Sequence, residues 1–301
     1  MKYLNEEENF LAIEEEFSNY EKSKIAILQV PYEHTVSYGG GTKNAPKAII
    51  EASAFVEFYD DEFDRELCFD KGITTLEELD LPNCYDEEML AKVENKIDKL
   101  LQDDKFVVTL GGEHTVAIAP IKSHFKKYPQ MSILHFDAHS DLREEYQGSK
   151  FSHASFMSRV CEFFPAKNIT QVGIRALSSD ERKFINENKI NTFFASAIRR
   201  NLHNSNEHKN DWQKSIVETL NSEIYITFDV DFFDPAIMPS TGTPEPDGFL
   251  YSETLDIFRE IKKAGKKIIG FDVVELAPLE ELSHPNLTTA RLIYKLLNFC
   301  F

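Results

Sequence analysis

The sequence is poor in cysteine, short of basic residues relative to acidic ones, and free of long apolar runs. Its 301 residues include only four cysteines, Cys68, Cys84, Cys161 and Cys300. They are scattered, which argues against a disulfide framework or a cysteine zinc site and predicts free thiols in a reducing compartment. No apolar stretch approaches the roughly 20 residues that a membrane-spanning helix needs. The glutamate-rich start, Met1 to Glu16, lacks the basic-then-apolar order of a secretory signal. A cytoplasmic protein with no membrane partner is therefore expected. Lys+Arg number 33 against 51 Asp+Glu, a net charge of −18. Phosphate backbones are bound through Lys and Arg, so this balance speaks against a nucleic-acid partner and fits a cationic ligand.

What is present reads as an α/β protein. Lys24–Val30, Phe106–Leu110, Ser132–Phe136, Ile169–Ile174, Ile224–Phe228 and Lys267–Val273 are short runs rich in β-branched residues. None alternates cleanly with polar residues, the pattern of strands covered on both faces in a parallel sheet. Between them, Leu90, Val93, Ile97 and Leu101 recur at helical spacing within Glu87–Leu101. A second helix is expected from a Ser252 cap to Lys263, ended by Gly265, and a last one over Leu287–Asn298. Asn201–Asp211, which carries His203 and His208, reads as a polar surface loop and not as a metal site. No repeat or linker divides the chain, so a single domain over residues 1–301 is expected. Alternating strands and helices predict a doubly wound, mostly parallel sheet between two helical layers.

In such a sheet, ligands bind beyond the carboxyl ends of the strands. Three of those ends carry related residues. Phe106–Leu110 leads into Gly111-Gly112-Glu113-His114. Ser132–Phe136 leads into Asp137-Ala138-His139-Ser140-Asp141. Ile224–Phe228 leads into Asp229-Val230-Asp231. Alternate residues of an extended segment share a side, so Asp137, His139 and Asp141 can converge, as can Asp229 and Asp231. Four carboxylates gathered without counter-charge repel one another and raise their own pKa values. Two histidines and four aspartates suit two divalent ions of octahedral tendency such as Mn²⁺. Four carboxylates and a shared hydroxide, set against two such ions, leave a site about one charge negative, ready for a cation.

These blocks resemble the signature segments of the ureohydrolases, the family that includes arginase and agmatinase. The last continues as Asp229-Val230-Asp231-Phe232-Phe233-Asp234-Pro235 and then Thr241-Gly242-Thr243-Pro244-Glu245-Pro246-Asp247-Gly248, which also match. The likeness runs from Pro31 to the C-terminal helix. It implies a three-layer α/β/α fold and a site for two Mn²⁺ per chain, with Ni²⁺ as the alternative. Carried over position by position, His114 and Asp141 hold one ion, His139 and Asp231 the other, and Asp137 and Asp229 bridge them. A hydroxide between the ions then attacks the guanidinium carbon, giving urea and an amine. Asp141 passes the proton on, and His153, in Phe151-Ser152-His153-Ala154-Ser155, shuttles protons at the mouth of the site. Glu275, in Asp272-Val273-Val274-Glu275, matches the acidic residue that holds the guanidinium by a two-point hydrogen bond. The resemblance also implies a homotrimer or homohexamer.

The likeness favours agmatine as the small guanidino substrate, because Leu142-Arg143 follows Asp141 where arginases commonly have an asparagine. Aminopropylagmatine, guanidinobutyrate, guanidine and arginine are the alternatives. A metal-binding relative without hydrolase activity is another, as is the related deacetylase group with a single zinc. One segment departs from the family: Gly39-Gly40-Gly41-Thr42-Lys43-Asn44-Ala45-Pro46 stands where many agmatinases have an arginine-containing loop. It lacks the Gly-Lys-Ser/Thr of a phosphate loop. Its glycines and Pro46, placed to open a helix, give it a structural reading, and the Tyr38–Asn44 loop is left facing the far end of the substrate.

Overall fold

The computed structural model describes residues 1–204 and 211–301. Eight strands form one sheet: β1 (Ile25–Val30), β4 (Ile73–Thr75), β5 (Phe106–Gly111), β6 (Ser132–Phe136), β7 (Ile169–Ile174), β8 (Asn191–Phe194), β9 (Glu223–Asp229) and β10 (Lys267–Val274), while β2 (Tyr59–Asp60) and β3 (Arg65–Glu66) make a small separate hairpin. The order across the sheet is β4-β1-β5-β10-β9-β6-β7-β8. Every neighbouring pair in it is parallel. The expected doubly wound sheet between helices is present, and all six expected strands lie within it.

The strands lack polar alternation because both faces are covered. In β1, Ile25 and Ile27 enter one apolar cluster, while Ala26, Leu28 and Val30 enter the other. In β9, Ile224, Ile226 and Phe228 face the first and Tyr225 the second. Helices Ala45–Ser53 and His284–Cys300 pack together on the first side, and helices Asp86–Gln102 and Ile118–Lys127 on the second. Burial of this kind contributes about 25 cal/mol per Å² of apolar surface removed from water.

Three local expectations change. The helix expected to be capped by Ser252 begins two residues earlier, at Tyr251 after Leu250. The cap is the Glu253 carboxylate, which accepts a hydrogen bond from the Leu250 N–H at 2.8 Å, while Gly265 ends the helix at a positive φ of 67° as expected. Asn201–Asn204 are not loop but the last turn of helix Ala195–Asn204, so His203 is helical. Asp211 precedes helix Trp212–Glu218, and His208 lies outside the described residues. The four cysteines are free thiols.

The centre of the sheet also dictates one glycine. Gly112 follows β5 and threads between the exits of β1 and β10: its N–H donates to the Val30 carbonyl and its own carbonyl accepts from Glu275 N. A Cβ at Gly112 would stand 2.0 Å from the Tyr32 carbonyl oxygen, backbone that cannot swing away. We expect Gly112→Ala to lower stability by about 3 kcal/mol, the upper end of what overpacking costs. Denaturant unfolding of the two proteins checks this, and equal midpoints would contradict it.

Candidate metal centre

The four middle strands of the sheet, β5, β10, β9 and β6, are consecutive neighbours. Their carboxyl ends deliver His114, Glu275, Asp229 with Asp231, and Asp137 with His139 and Asp141, respectively. His114, Asp137, Asp141, Asp229, Asp231 and Glu275 are all buried, and His139 and His153 are half-buried. Two positions carry backbone strain. Asp141 (φ 51°) and Glu275 (φ 65°) both lie in the left-handed region, which costs of order 1–3 kcal/mol for such residues. The Asp141 carbonyl takes the N–H groups of Met157 and Ser158, and the Glu275 N–H is held by the Gly112 carbonyl, so both turns are fixed.

The side chains gather in two overlapping groups. His114, His135, Asp137 and Asp141 present ligand atoms within 4.8 Å of one another, and so do Asp137, His139 and Asp231. His114 Nδ1 lies 3.1 Å from Asp137 Oδ2 and 3.4 Å from each of Asp141 Oδ2 and Asp229 Oδ2. In the second group, His139 Nδ1 stands 2.8 Å from Asp231 Oδ2 and 3.5 Å from Asp137 Oδ1. Asp137 therefore belongs to both groups, with one carboxylate oxygen toward each. Asp229 turns Oδ2 toward His114, and its Oδ1 accepts the Asp231 N–H at 2.8 Å.

Proton counting identifies which histidine nitrogens are free to bind a cation. Thr227 Oγ1 donates its only proton to Asp272 Oδ1 at 2.7 Å. Its contact with His114 Nε2, at 2.9 Å, must then be one it accepts. His114 accordingly carries a proton on Nε2 and turns Nδ1 toward the three carboxylates. That atom is buried without a hydrogen-bond partner. Three anionic oxygens around that atom call for positive charge, either a proton on Nδ1 or a metal ion bound to its lone pair.

The same count separates His135 from the ligands. The Gln171 amide nitrogen donates to the Ser140 carbonyl at 2.8 Å and meets His135 Nδ1 at 3.1 Å. Nδ1 thus accepts, and Nε2 carries the proton that it donates to Asp137 Oδ2 at 2.8 Å. His135 orients Asp137 and has no lone pair left for an ion. It is absent from the residues expected at the site, and one signal pointed to it: it stands two residues before Asp137 on one strand, and so on the same face.

The electrostatics also call for positive charge. Burial pushes the Asp229 carboxyl well above the usual carboxylate range, and Asp231 and Asp137 add to the rise. Burial and then Asp137 raise Asp141 to about 6. Burial would hold down the His114 cation, but Asp137, Asp141 and Asp229 outweigh it and lift the ring well above its ordinary value. At His139 burial is outweighed by Asp231 and then Asp137, which push the ring up to about 12. A proton and a metal ion compete for these spaces.

His139, Asp141, Asp229, Asp231, His153 and Glu275 all line one cleft, with Arg143, Tyr146, Thr241 and Thr243 at its walls. Glu275 spends one oxygen on the His114 N–H at 2.7 Å. Burial, with Glu113 next, lifts its carboxyl well above the ordinary range. The Tyr38–Asn44 loop, expected to face the substrate, contributes no residue to the lining of this cleft; Ser37, just before it, does, while Tyr38 is 86 % exposed. The Glu33 carboxylate pins the glycine stretch by accepting the N–H groups of Gly41 and Lys43. Gly39 lies against Gly242, leaving no space for a side chain at that contact.

Known proteins share this arrangement of fold and sequence. A model of the arginase family matches residues 23–299. The N(1)-aminopropylagmatine ureohydrolase of Synechocystis sp. is 33% identical over 290 residues, covering 95% of this chain and 92% of that protein. The agmatinase of Bacillus cereus is 34% identical, covering 88% of this chain and 87% of its own. The crystal structure of agmatine ureohydrolase of Thermoplasma volcanium superposes with a TM-score of 0.78 at 27% identity, over 94% of this chain and 91% of that one.

If these carboxylates need a cation, the fold should be more stable with one. At a free ion concentration 100 times its dissociation constant, a divalent metal should stabilise the chain by about 2.7 kcal/mol. Thermal melts of chelator-treated protein with and without Mn²⁺ measure this. Asp229→Asn should shrink the response, and a melting curve indifferent to metal and chelator would contradict the site.

Proposed function

We propose a function from one premise: the chain belongs to the arginase family. We infer that it hydrolyses the guanidino group of a small cationic compound to urea and an amine, with agmatine as first substrate and aminopropylagmatine second. The relatives quoted above carry those two names, and the cleft is acidic, as a cationic substrate requires. The observation that carries the reading is the buried Nδ1 of His114 turned toward three aspartate oxygens.

In this reading His114 and Asp141 would hold one divalent ion, His139 and Asp231 a second, and Asp137 and Asp229 would serve both. The donor set of imidazole and carboxylate suits Mn²⁺, with Ni²⁺ as the alternative. Metal bound by these residues would supply a water of lowered pKa as nucleophile. The chain's own groups do the rest. Glu275, tethered by one oxygen to the His114 N–H, offers the other to the guanidinium and sets its plane. Asp141, at the cleft, accepts and returns a proton near the reacting carbon. His153, kept neutral because burial lowers its ring below the ordinary 6.5, takes or gives the proton of the amine.

Substitutions should separate the two ends of the ligand. Glu275→Gln removes a charged hydrogen bond to the group every candidate shares. Such a bond is worth about 1.5–3 kcal/mol, roughly 10- to 100-fold in rate at the transition state. Urea release from agmatine, aminopropylagmatine, guanidinobutyrate, guanidine and arginine should fall alike. Substitutions at Arg143 and Thr243, which line the cleft, should instead reorder the panel. Wild-type protein that releases urea from none of these, loaded with Mn²⁺ or Ni²⁺, would contradict the proposed reaction.

A further inference from the structure

Behind His153 stands a buried carboxylate that the reaction above does not use. Glu113 is fully buried. Its Oε2 accepts the N–H groups of His34 and Thr35 at 2.6 and 2.7 Å. Its Oε1 accepts the hydroxyls of Thr35 and Thr115 at 2.9 and 2.8 Å. Four donors converge on one carboxylate, so Glu113 acts only as an acceptor. Thr35 has one hydroxyl proton, and Glu113 takes it. The other two contacts of Thr35 Oγ1 must then be received: the His153 N–H at 3.1 Å and His153 Nδ1 at 3.2 Å. Nδ1 therefore carries the ring proton, and Nε2 is left as a lone pair on the cleft side, 3.4 Å from Ser37 Oγ.

We infer that Glu113 and Thr35 are positioning residues that fix the tautomer of His153, so that Nε2 meets the substrate as a base. The inference rests on the proposed role of His153 in the cleft. The step balances simply. Nε2 takes a proton from a group in the cleft, the ring becomes an imidazolium, and its Nδ1–H stays hydrogen-bonded to Thr35, whose own proton remains on the Glu113 side. The same proton returns from Nε2 to the leaving amine. A carboxylate–threonine–histidine line of this kind does for His153 what Asp272 and Thr227 do for His114, with opposite ring nitrogens protonated.

The test compares variants of the full-length, metal-loaded enzyme. Thr35→Val keeps the shape and removes the hydroxyl. It should lower kcat by about 10- to 100-fold, the usual range for a group that orients a working histidine, with KM, metal content and melting temperature little changed. Thr35→Ser restores the hydroxyl and should recover most of the loss. In a His153→Ala background, Thr35→Val should cost nothing further. Glu113→Gln gives a sharper outcome. The two backbone N–H groups hold its amide oxygen, so its NH₂ faces Thr35, reverses the hydroxyl, and drives the His153 proton onto Nε2. Its kcat should fall as in Thr35→Val. Ring ¹⁵N shifts of His153 in the Zn²⁺-loaded chain give an answer independent of turnover: Nδ1 protonated in the wild type and Nε2 protonated in Glu113→Gln. A Thr35→Val loss that is as large without His153, or wild-type shifts showing Nε2 protonated, would overturn the assignment. A wild type that shows the expected shifts but releases no urea would leave the relay standing and remove the reaction instead.

Discussion

Four aspartates share one small buried space at the carboxyl ends of adjacent strands, and the surrounding structure is organised by that crowding. Asp137 lies at its centre, within 3.1 Å of His114 and 3.5 Å of His139. Burial and mutual repulsion raise Asp229 and Asp141, while burial at Asp137 is overcome by His135, His114 and His139, which hold it well below the usual range. The carboxylates that can ionise readily and those that cannot are neighbours. Added positive charge favours the ionised forms of Asp141 and Asp229 beside Asp137.

The sheet supplies the rigidity that keeps such a site from collapsing. Parallel strands packed on both faces cannot shift register without repacking both apolar clusters. Beneath the aspartates, the strands carry buried polar residues in place of apolar ones: Thr227, Asp272, His135 and Gln171. Each is spoken for by a hydrogen bond that decides where a proton sits. A buried polar network of this kind is costly unless every member is satisfied. Here its satisfied members leave one unsatisfied atom, His114 Nδ1, at the place where the site faces a ligand.

Much of this was legible along the chain. Unbroken β-branched runs identified the six longer sheet strands, and the His and Asp residues after three of them are the ones the structure brings together. The remainder was hidden for physical reasons. β4 and β8, of three and four residues, are too short for a pattern to emerge. Glu253 caps its helix by reaching back to Leu250, a device that Ser252 obscured because serine is the commoner cap. His135, Thr227 and Asp272 are ordinary strand residues in sequence. Their meaning lies in contacts across strands, such as Thr227 with Asp272, 45 residues apart, and Glu113 with Thr35, 78 residues apart. The two-ion arithmetic needed only residue types, whereas assigning a proton to each ring needed the hydrogen bonds.

The central claim is that these carboxylates are built around two cations, and metal stoichiometry tests it most directly. Protein loaded with Mn²⁺, freed of loose ions and analysed for metal and for polypeptide, should carry two ions per chain. Asp231→Asn, beside His139 alone, should retain one more readily than the other. One ion per wild-type chain at saturation, or a single zinc that Mn²⁺ does not replace, would contradict the account.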